Sequence, residues 1–515
     1  MNFYSTLCLS KDFSYLIIFE RNYLHLYFYF AIYILLCYNY VMIIKICPKI
    51  ENNKFFGLIS KFLASYYSML FVLIITCLSN LFSLEIFALY GYMLIILLSC
   101  LFGKDMLATI PVAFCGYICF SRQNNPASFI DQSIFLSSTG VAHLIIASGV
   151  SLIAFLTRLI FDLITLRGTF KKPKLTWGLL AIAITFIFGG IFTDEFGLHS
   201  IAIGAIEALS FCFVYFYFYY TVKWENVKND YGLLLLMGVG IVMCFEIFGA
   251  LHYSNFWNSE DLFDRDILYT GWGNYNNMGG MMVITICGPF YFACKSKHGF
   301  LYLLLANFFG VVGILTQSRS SIVFGLIIYG ICLLCTLNIA KGKQKTIMVY
   351  SYAATMIILV TMMFVFSERI IELFDSMLRV GFYDSGRSKI YQHGWEQFSD
   401  SPLVGKGFTA CETVQWGNHS DNPFWPARYH NTYVQILATC GLIGLVAYIY
   451  HRVQTIKIVM KDFNHEKLFM AIGILAIILI SLIDCHLFNV GPAIIYSGLL
   501  LFIEKQNKVL KAKRI

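Results

Sequence analysis

A histidine at the start of an apolar run and two arginines in hydrophilic segments are the residues of this sequence best suited to chemistry. His430 stands beside Asn431 directly before an apolar run, and Arg319 and Arg387 lie in two preceding polar segments. Histidine can accept a proton near neutral pH, and the planar fork of arginine binds phosphate or carboxylate oxygens. Taken one at a time, each of these three side chains also fits an interfacial anchor or a salt-bridge partner.

The composition of the rest of the chain is that of a membrane protein. Of its 515 residues, 58% are hydrophobic and 13% are charged, whereas a soluble domain carries about 25% charged residues. Apolar runs of about 20 residues recur, and such runs cross lipid as helices. The net charge of +8 comes from Lys and Arg in short loops, which is typical of cytoplasmic loops. We therefore expect an all-α polytopic membrane protein that binds the lipid bilayer and no nucleic acid.

The apolar runs predict roughly 13 to 15 transmembrane helices. The run at 106–120 is short for a full crossing, which leaves the count open. The predicted spans lie near residues 23–46, 62–82, 84–102, 106–120, 134–156, 175–193, 200–222, 231–251, 277–294, 299–316, 321–338, 347–367, 431–450, 468–488 and 489–503.

Loop charges predict the orientation of these spans. Five basic regions are separated by even numbers of predicted spans, so all five fit on the cytoplasmic side. The same parity places the loop 252–276, the turn 316–320 and the stretch 368–429 outside, and it leaves the side of residue 1 open. The five basic regions are 157–174, 295–297, 341–345, 452–467 and the tail 505–514.

This orientation divides the chain into four parts. The stretch 368–429 contains several Trp and Phe residues, so we expect a folded extracytoplasmic cap with short helices rather than a disordered loop. Its acids show no ligand spacing, and we expect no metal site. The four parts are 1–251 with the N-terminal transmembrane helices, 252–367 with further helices, the external loop 252–276 and the Arg319 turn, 368–429 as the large extracytoplasmic loop, and 430–515 with the C-terminal helices and a basic cytoplasmic tail.

Four short motifs follow one another in the second half of the chain. Together, in this order and spacing, they resemble the O-antigen ligase and O-antigen polymerase superfamily of bacterial membrane glycosyltransferases. One departure is Tyr275, which stands where the family has Pro. The motifs are Asn274-Tyr275-Asn276-Asn277-Met278-Gly279, the turn Thr316-Gln317-Ser318-Arg319, Arg387 followed by Pro402, Gly405 and Gly407 as P-x-x-G-x-G, and His430-Asn431 followed after nine residues by Gly441-x-x-Gly444.

The resemblance implies a GT-C-like bundle with a laterally open external cavity. It also implies transfer or polymerisation of a glycan from an undecaprenyl diphosphate-linked donor onto the hydroxyl of a glycan or lipid acceptor. The reaction would take place at the outer face of the cytoplasmic membrane, with inversion, without a nucleotide sugar and without a cofactor or metal. Ligase and polymerase share all these motifs, so the sequence leaves that choice open.

The resemblance also implies roles for individual residues. On a straight helix His430 and Gly441 are about 16 Å apart, so His430 would sit at the external mouth of a span with glycines below it that admit another helix. The implied catalytic residues are His430, Arg319 and Arg387, the implied substrate-binding residues are Arg428, Asn431, Asn276, Gly405 and Gly407, and the helix-packing residues are Gly441 and Gly444.

A lipid or glycan transporter is the main alternative from another class. Glu207, Glu246 and Asp484 lie within apolar runs, where acids face the bundle interior and either pair or serve function. In a transporter they would be coupling sites, and an internal repeat between the two halves is then expected. The sequence contains no such repeat. A scaffold whose loop binds an outside partner is a third possibility, but it leaves the two arginines without a shared purpose.

Overall fold

The computed structural model describes residues 54–120, 138–165, 171–253, 268, 273–365, 367, 387–409 and 428–512. Helices dominate these residues and none of them forms a β-strand, which confirms the predicted all-α polytopic membrane fold. The predicted span 23–46 lies outside the described residues. So do most of the loop 252–276 and the parts 368–386 and 410–427 of the large loop.

The first half of the described chain contains eight α-helices. A short 3-10 turn, Leu107–Thr109, precedes α4 in the weakly predicted run 106–120. The helices are α1 Lys54–Leu63, α2 Tyr66–Phe82, α3 Glu85–Phe102, α4 Ile110–Cys115, α5 Ser138–Thr165, α6 Thr176–Ile187, α7 Leu198–Thr221 and α8 Tyr231–Tyr253. Most of them follow predicted spans, whereas α1 precedes the span predicted at 62–82, and α4 and α6 cover only part of their runs.

The second half contains nine further α-helices within the described ranges. One of them, α14, lies inside the predicted external loop 368–429, as the aromatic content of that loop suggested. The helices are α9 Tyr275–Thr285, α10 Cys287–Lys295, α11 Gly299–Leu315, α12 Arg319–Ile339, α13 Gly342–Val365, α14 Arg387–Asp400, α15 Thr432–Met460, α16 His465–Ile480 and α17 Val490–Ala512.

Fewer helices than predicted are long enough to cross a membrane alone. By length and composition, seven spans in the described part of the chain qualify, or eight if the bent pair α1–α2 is one span. Helices α6 and α11 are apolar but shorter than a full crossing. Turns replace the last residues of the run predicted for α6, whereas α11 ends one residue before its predicted run does. An apolar run therefore marks a helix without fixing its length, since α5 and α15 extend beyond their predicted runs.

Helices α9 and α10 form the centre of the bundle. In their most apolar stretch 94% of the residues are buried inside the protein, against 17% for α12. Around α9 pack α8, α11, α12 and α16, while α6, α7, α15 and α17 form an adjoining group. The motif that begins α9 therefore lies where both groups meet.

One end of the bundle, which we call the basic end, joins the helix termini that carry most of the lysines. There the Lys174 backbone N–H donates to Glu504 Oε1 at 3.0 Å, and Gln506 donates to the carbonyl of Asn229 at 2.6 Å. Tyr291 on α10 likewise donates to Glu466 on α16 at 2.7 Å. These contacts fasten α6, α8, α10, α16 and α17 at a common level.

Two arginines that the sequence analysis counted among the loop charges lie within helices instead, Arg158 buried and Arg452 half-buried. Arg158 in α5 pairs with Asp162 at 2.7 Å and donates to the Lys104 carbonyl at 2.8 Å. Arg452 in α15 donates to the phenol oxygens of Tyr496, at 2.8 Å, and Tyr448. Neither guanidinium is therefore a free loop charge, although lysines at the same end still carry the predicted bias.

Candidate functional site

The end of the bundle opposite the basic end, which we call the site end, collects the four sequence motifs. There α9, α12 and α15 begin at their motifs, and the turn 481–489 between α16 and α17 lies among them. His430, the residue before the N-cap of α15, has a left-handed backbone with φ of 51°. Gln317 in the arginine turn also has a positive φ, of 54°. Non-glycine residues rarely adopt a positive φ, because the surrounding structure must hold them in that conformation. Where they do, they concentrate at functional sites.

His430 forms a hydrogen-bonded pair with Asp484. Its Nδ1 lies 3.0 Å from Asp484 Oδ1, and the His430 side chain is 38% exposed while that of Asp484 is 10% exposed. Burial raises the pKa of the Asp484 carboxyl, but the hydrogen bond from His430 and the neighbouring His486 and Arg387 hold that pKa below its usual value. An ionised Asp484 accepts the Nδ1–H of His430, which leaves Nε2 of the imidazole as the proton acceptor.

Helix α14 lies against this pair. Arg387 is its first residue and is half-buried, close enough to Asp484 to stabilise the carboxylate. Tyr391, one turn later, donates its phenol to the His430 carbonyl at 3.3 Å. A side chain at Gly394 would meet Tyr429 and Val434, so the missing Cβ lets α14 lie directly on the start of α15. The structure therefore brings two of the predicted catalytic residues, Arg387 and His430, to one place.

Arg319 lies at the same end of the bundle, on the other side of α9 from the turn that contains Asp484. It is the first residue of α12, whose N-cap Ser318 accepts from the Ser321 N–H, and its side chain is half-buried. A Cβ on Gly279 would lie 2.6 Å from the Thr316 hydroxyl, and one on Gly280 would collide with the ring of His486. These two glycines bring α9 against the arginine turn on one side and the Asp484 turn on the other.

Asn276 lies in the first turn of α9, half-buried. Its backbone N–H is capped by the side chain of Asn274 at 3.0 Å. The next residue, Asn277, accepts from Asn489 Nδ2 at 2.6 Å, which ties α9 to the segment leading into α17. The Asn-rich motif thus lies beside the Asp484 turn, although no measured contact joins Asn276 itself to His430.

The predicted substrate residue Arg428 is held by an acid that the sequence placed inside a span. Its Nη2 lies 2.7 Å from Glu207 Oε1, and its guanidinium stands 5.7 Å from the ring centroid of Phe488. Glu207 lies nine residues after the first residue of α7, about 14 Å along the helix axis. Gly407 meanwhile packs on Ser200 near the start of α7. The segment 428–431 is therefore recessed within the bundle.

Asn431 uses its side chain for local structure. Its Oδ1 caps α15 by accepting the N–H groups of Tyr433 and Val434, at 2.9 and 3.1 Å. Its Nδ2 donates to the Leu482 carbonyl at 2.8 Å. These bonds explain structurally why an asparagine follows His430, apart from the predicted substrate contact. They fix the segment 428–431 to the turn 481–489, which contains Asp484.

Gly441 breaks α15, which corrects the expectation of a straight helix. Its φ is 63° and its ψ is −160°. Tyr433 and Tyr448, on either side of the break, meet edge to face with ring centroids 5.8 Å apart, whereas fifteen residues of straight helix span about 22 Å. The start of α15 therefore folds back along the rest of the helix.

The P-x-x-G-x-G segment supplies the hydrogen bonds that this break removes. The N–H groups of Lys406 and Gly407 donate to the carbonyls of Ala438 and Thr439, at 2.8 and 2.9 Å. In return, Leu442 N–H donates to the Pro402 carbonyl at 2.9 Å. Backbone groups at membrane depth need such partners, so this segment, 402–407, is the structural complement of the break.

The glycines of both motifs serve this junction. Gly405 and Gly407 have φ of 68° and 86°, both are buried, and a Cβ on Gly405 would collide with the α15 backbone. Both glycines therefore serve backbone docking, and their predicted substrate contact stays a prediction. A Cβ on Gly441 would collide with Leu403, and one on Gly444 with Cys440 of its own helix. The predicted close approach exists at Gly441, but its partner is the turn segment 402–407 rather than another helix.

Asp484 is the site residue that the sequence analysis did not assign. The sequence flagged it as an acid inside an apolar run, without naming His430 as its partner. The structure ends α16 at Ile480, so Asp484 lies in the following turn and not within a helix. No pattern in the sequence relates two residues 54 positions apart. Among the described residues, no group of three His, Cys, Asp or Glu side chains is arranged to hold a metal ion.

Comparison with known families agrees with the motifs. Residues 302–449 match the family model described as O-antigen ligase, a stretch that runs from α11 into α15 and includes Arg319, Arg387 and His430. The match confirms the resemblance to the O-antigen ligase and polymerase superfamily. A comparison with curated proteins gives no match to the chain. The match supports a role in surface glycan ligation or polymerisation, in a multi-pass membrane protein.

Proposed function

We propose that this protein transfers a glycan from an undecaprenyl diphosphate-linked donor to an acceptor hydroxyl at the outer face of the bacterial cytoplasmic membrane. The observation that carries the proposal is the His430–Asp484 hydrogen bond of 3.0 Å, with Arg387 beside it. His430 and Arg387 lie inside the region that matches the O-antigen ligase family. A proton acceptor next to a fixed positive charge is what displacement of a diphosphate by a hydroxyl requires.

In this proposal the diphosphate binds where several helices begin. Arg319 is the first residue of α12 and Arg387 the first residue of α14, and α9 starts beside them. Helix N-termini carry partial positive charge and free N–H groups that favour phosphate. The two guanidinium groups add permanent charge and bidentate hydrogen bonds. Arg428 lies within the same recessed segment, but its charge is already compensated by Glu207.

The chemical step follows from the orientation of His430. Its Nε2 accepts the proton of the acceptor hydroxyl while that oxygen bonds to the anomeric carbon of the donor. The bond from the anomeric carbon to the diphosphate oxygen breaks with inversion, and its electron pair leaves with undecaprenyl diphosphate. Asp484 stabilises the imidazolium formed in this step, so no further reactant is needed. The proton then passes from His430 to solvent or to the departing diphosphate.

The sidedness of the proposal rests on charge. Lysines gather at the basic end, and cytoplasmic loops of membrane proteins carry the excess of Lys and Arg. The site end would then face the outside, where lipid-linked glycans are joined. The recessed position of His430 suits a donor whose lipid tail stays in the membrane while its sugar reaches the bundle. Whether the acceptor is a second lipid-linked glycan or a different lipid decides between polymerase and ligase.

A transfer assay with purified protein tests the proposal directly. The protein in lipid nanodiscs is mixed with undecaprenyl diphosphate-linked glycan from its source, with chelator and no nucleotide sugar. We expect release of undecaprenyl diphosphate, with a ladder of products from a polymerase or a single product from a ligase. His430→Ala protein prepared in parallel reports background hydrolysis. Absence of release with every native donor and acceptor, alongside lipid movement between leaflets, would favour the transporter instead.

A further inference from the structure

Gln435 joins the two segments that carry His430 and Asp484. It lies in the first turn of α15 and is completely buried. Its Oε1 accepts the backbone N–H of Tyr429 at 2.9 Å, and the Cys485 thiol donates to the same oxygen at 3.9 Å. Tyr429 directly precedes His430, and Cys485 directly follows Asp484. One side-chain oxygen thus holds both neighbours of the proposed pair.

The chemistry of these contacts fixes which way the amide points. A backbone N–H can only donate, so the Tyr429 N–H requires the oxygen of the amide rather than its nitrogen, and the Cys485 thiol can donate to the same oxygen. The reversed amide would set its NH2 against the Tyr429 N–H, so that two donors face each other and the buried Tyr429 N–H loses its acceptor. The position therefore calls for an acceptor of glutamine length, which aliphatic side chains do not provide.

The two segments need such a connection because few other bonds join them. On the far side of His430, Thr432 N–H donates to the Ser481 carbonyl at 2.9 Å, and Asn431 donates to Leu482. Both bonds lie after His430 in the chain and before Asp484. Gln435 adds a connection on the other side of the pair, because it binds Tyr429, which precedes His430, and Cys485, which follows Asp484.

We propose that Gln435 is a positioning residue that sets the hydrogen bond between His430 and Asp484. The inference rests on the proposed function of that pair and goes beyond it, because Gln435 itself touches neither reacting atom. Without its acceptor, the Tyr429 peptide is released and the imidazole is no longer directed at the carboxylate. Since misplacement of a catalytic group by about 1 Å can reduce a rate by two orders of magnitude, the effect should appear in turnover.

The test compares three substitutions. Gln435→Met keeps the length and removes the acceptor, Gln435→Glu keeps an oxygen in the same place, and Gln454→Met is the matched control. Gln454 lies on the same helix and accepts the Gly178 N–H at 3.0 Å, far from the site. We expect Gln435→Met to lower kcat by about tenfold to a hundredfold with KM within about twofold, Gln435→Glu to recover much of it, and Gln454→Met to leave kcat unchanged.

Hydrogen exchange separates this inference from the proposed function. In the Gln435→Met protein the amide of Tyr429 should exchange much faster than in the parent, while amides at the basic end stay protected. Unchanged exchange at Tyr429, or equal loss of kcat in the Gln454→Met control, would overturn the positioning role. If the parent protein transfers no glycan at all, the proposed function fails and exchange at Tyr429 still decides whether Gln435 holds the segment. Gln435→Asn, which only shortens the side chain, replaces the Met variant if that protein does not fold.

Discussion

At the basic end, Lys467 is completely buried and its ammonium donates to the carbonyls of Ile458, at 3.2 Å, and Lys461. Lys505 at the same end donates to the Tyr219 carbonyl at 3.0 Å. At the site end, by contrast, His430 remains more than one-third exposed beside its buried aspartate. The comparison teaches that the basic end uses buried charges to join helices, whereas the site end leaves the imidazole of its central pair partly open to solvent. Substitutions at the two ends should therefore affect different quantities.

Loss of the histidine should have the largest effect on activity. We expect His430→Ala to lower transfer by about a thousandfold, because general-base catalysis contributes about two to four orders of magnitude, while donor binding changes little. His465→Ala is the matched control, since that histidine is exposed at the basic end. Initial rates and donor affinity in nanodiscs measure the two effects. A His430→Ala protein that loses affinity and keeps its rate would exclude the base.

Removal of either arginine should come next. Arg319→Ala and Arg387→Ala should each lower transfer by about a hundredfold and weaken binding of undecaprenyl diphosphate, because each removes charged hydrogen bonds to the leaving group. Lys389→Ala removes an exposed charge from the same helix as Arg387 and serves as the control. Near-normal transfer by both arginine variants would contradict the proposal that the diphosphate binds at this end of the bundle.

The break in α15 should respond to a single methyl group. Gly441→Ala places a Cβ against Leu403 at a residue with positive φ, and we expect a loss of about 2–4 kcal/mol of stability, seen as a lower melting temperature in detergent. Gly330→Ala is the control, because nothing lies within 4 Å of its Cβ position. Equal melting temperatures for the two variants would mean that the segment 402–407 shifts to accommodate the added methyl group at little cost in stability.

The smallest effect on activity should come from the basic end. Lys467→Met leaves helix carbonyls without their donor, so we expect a loss of about 1–3 kcal/mol of stability with unchanged turnover per folded molecule. Lys457→Met, an exposed lysine on α15, should change neither quantity. A fall in kcat for the Lys467 variant would contradict the division of labour between the ends.

Much of the architecture could be predicted from the sequence, because membrane helices are recognisable as long hydrophobic runs. The runs near 200–222 and 231–251 became α7 and α8 almost residue for residue, and the aromatic loop held α14. The break at Gly441 escaped prediction, since a glycine that packs and a glycine that breaks a helix look alike in one dimension. Only the docked segment 402–407 distinguishes them.

The site was predicted in part for a similar reason. Motif order led to His430, Arg319 and Arg387, but the contacts of Asp484, Gln435 and Glu207 depend on how distant helices lie against each other. Arg428 was expected to meet a ligand, and its contact with Glu207, an acid 221 residues earlier in the chain, was not foreseen. Composition placed that acid in the interior and had no means of naming its partner.

The position of Asp484 in the turn 481–489 decides which segments of the protein can be exchanged between relatives. The stretch recognisable as a family domain, 302–449, contains His430 and both arginines, whereas Asp484, Cys485 and the α9 motif lie outside it. The stretch that sequence comparison delimits thus does not contain the whole of the proposed site. Exchange of that stretch between relatives would transplant a histidine and leave its aspartate behind, so only chimaeras that also carry α9 and the turn 481–489 inherit a whole site.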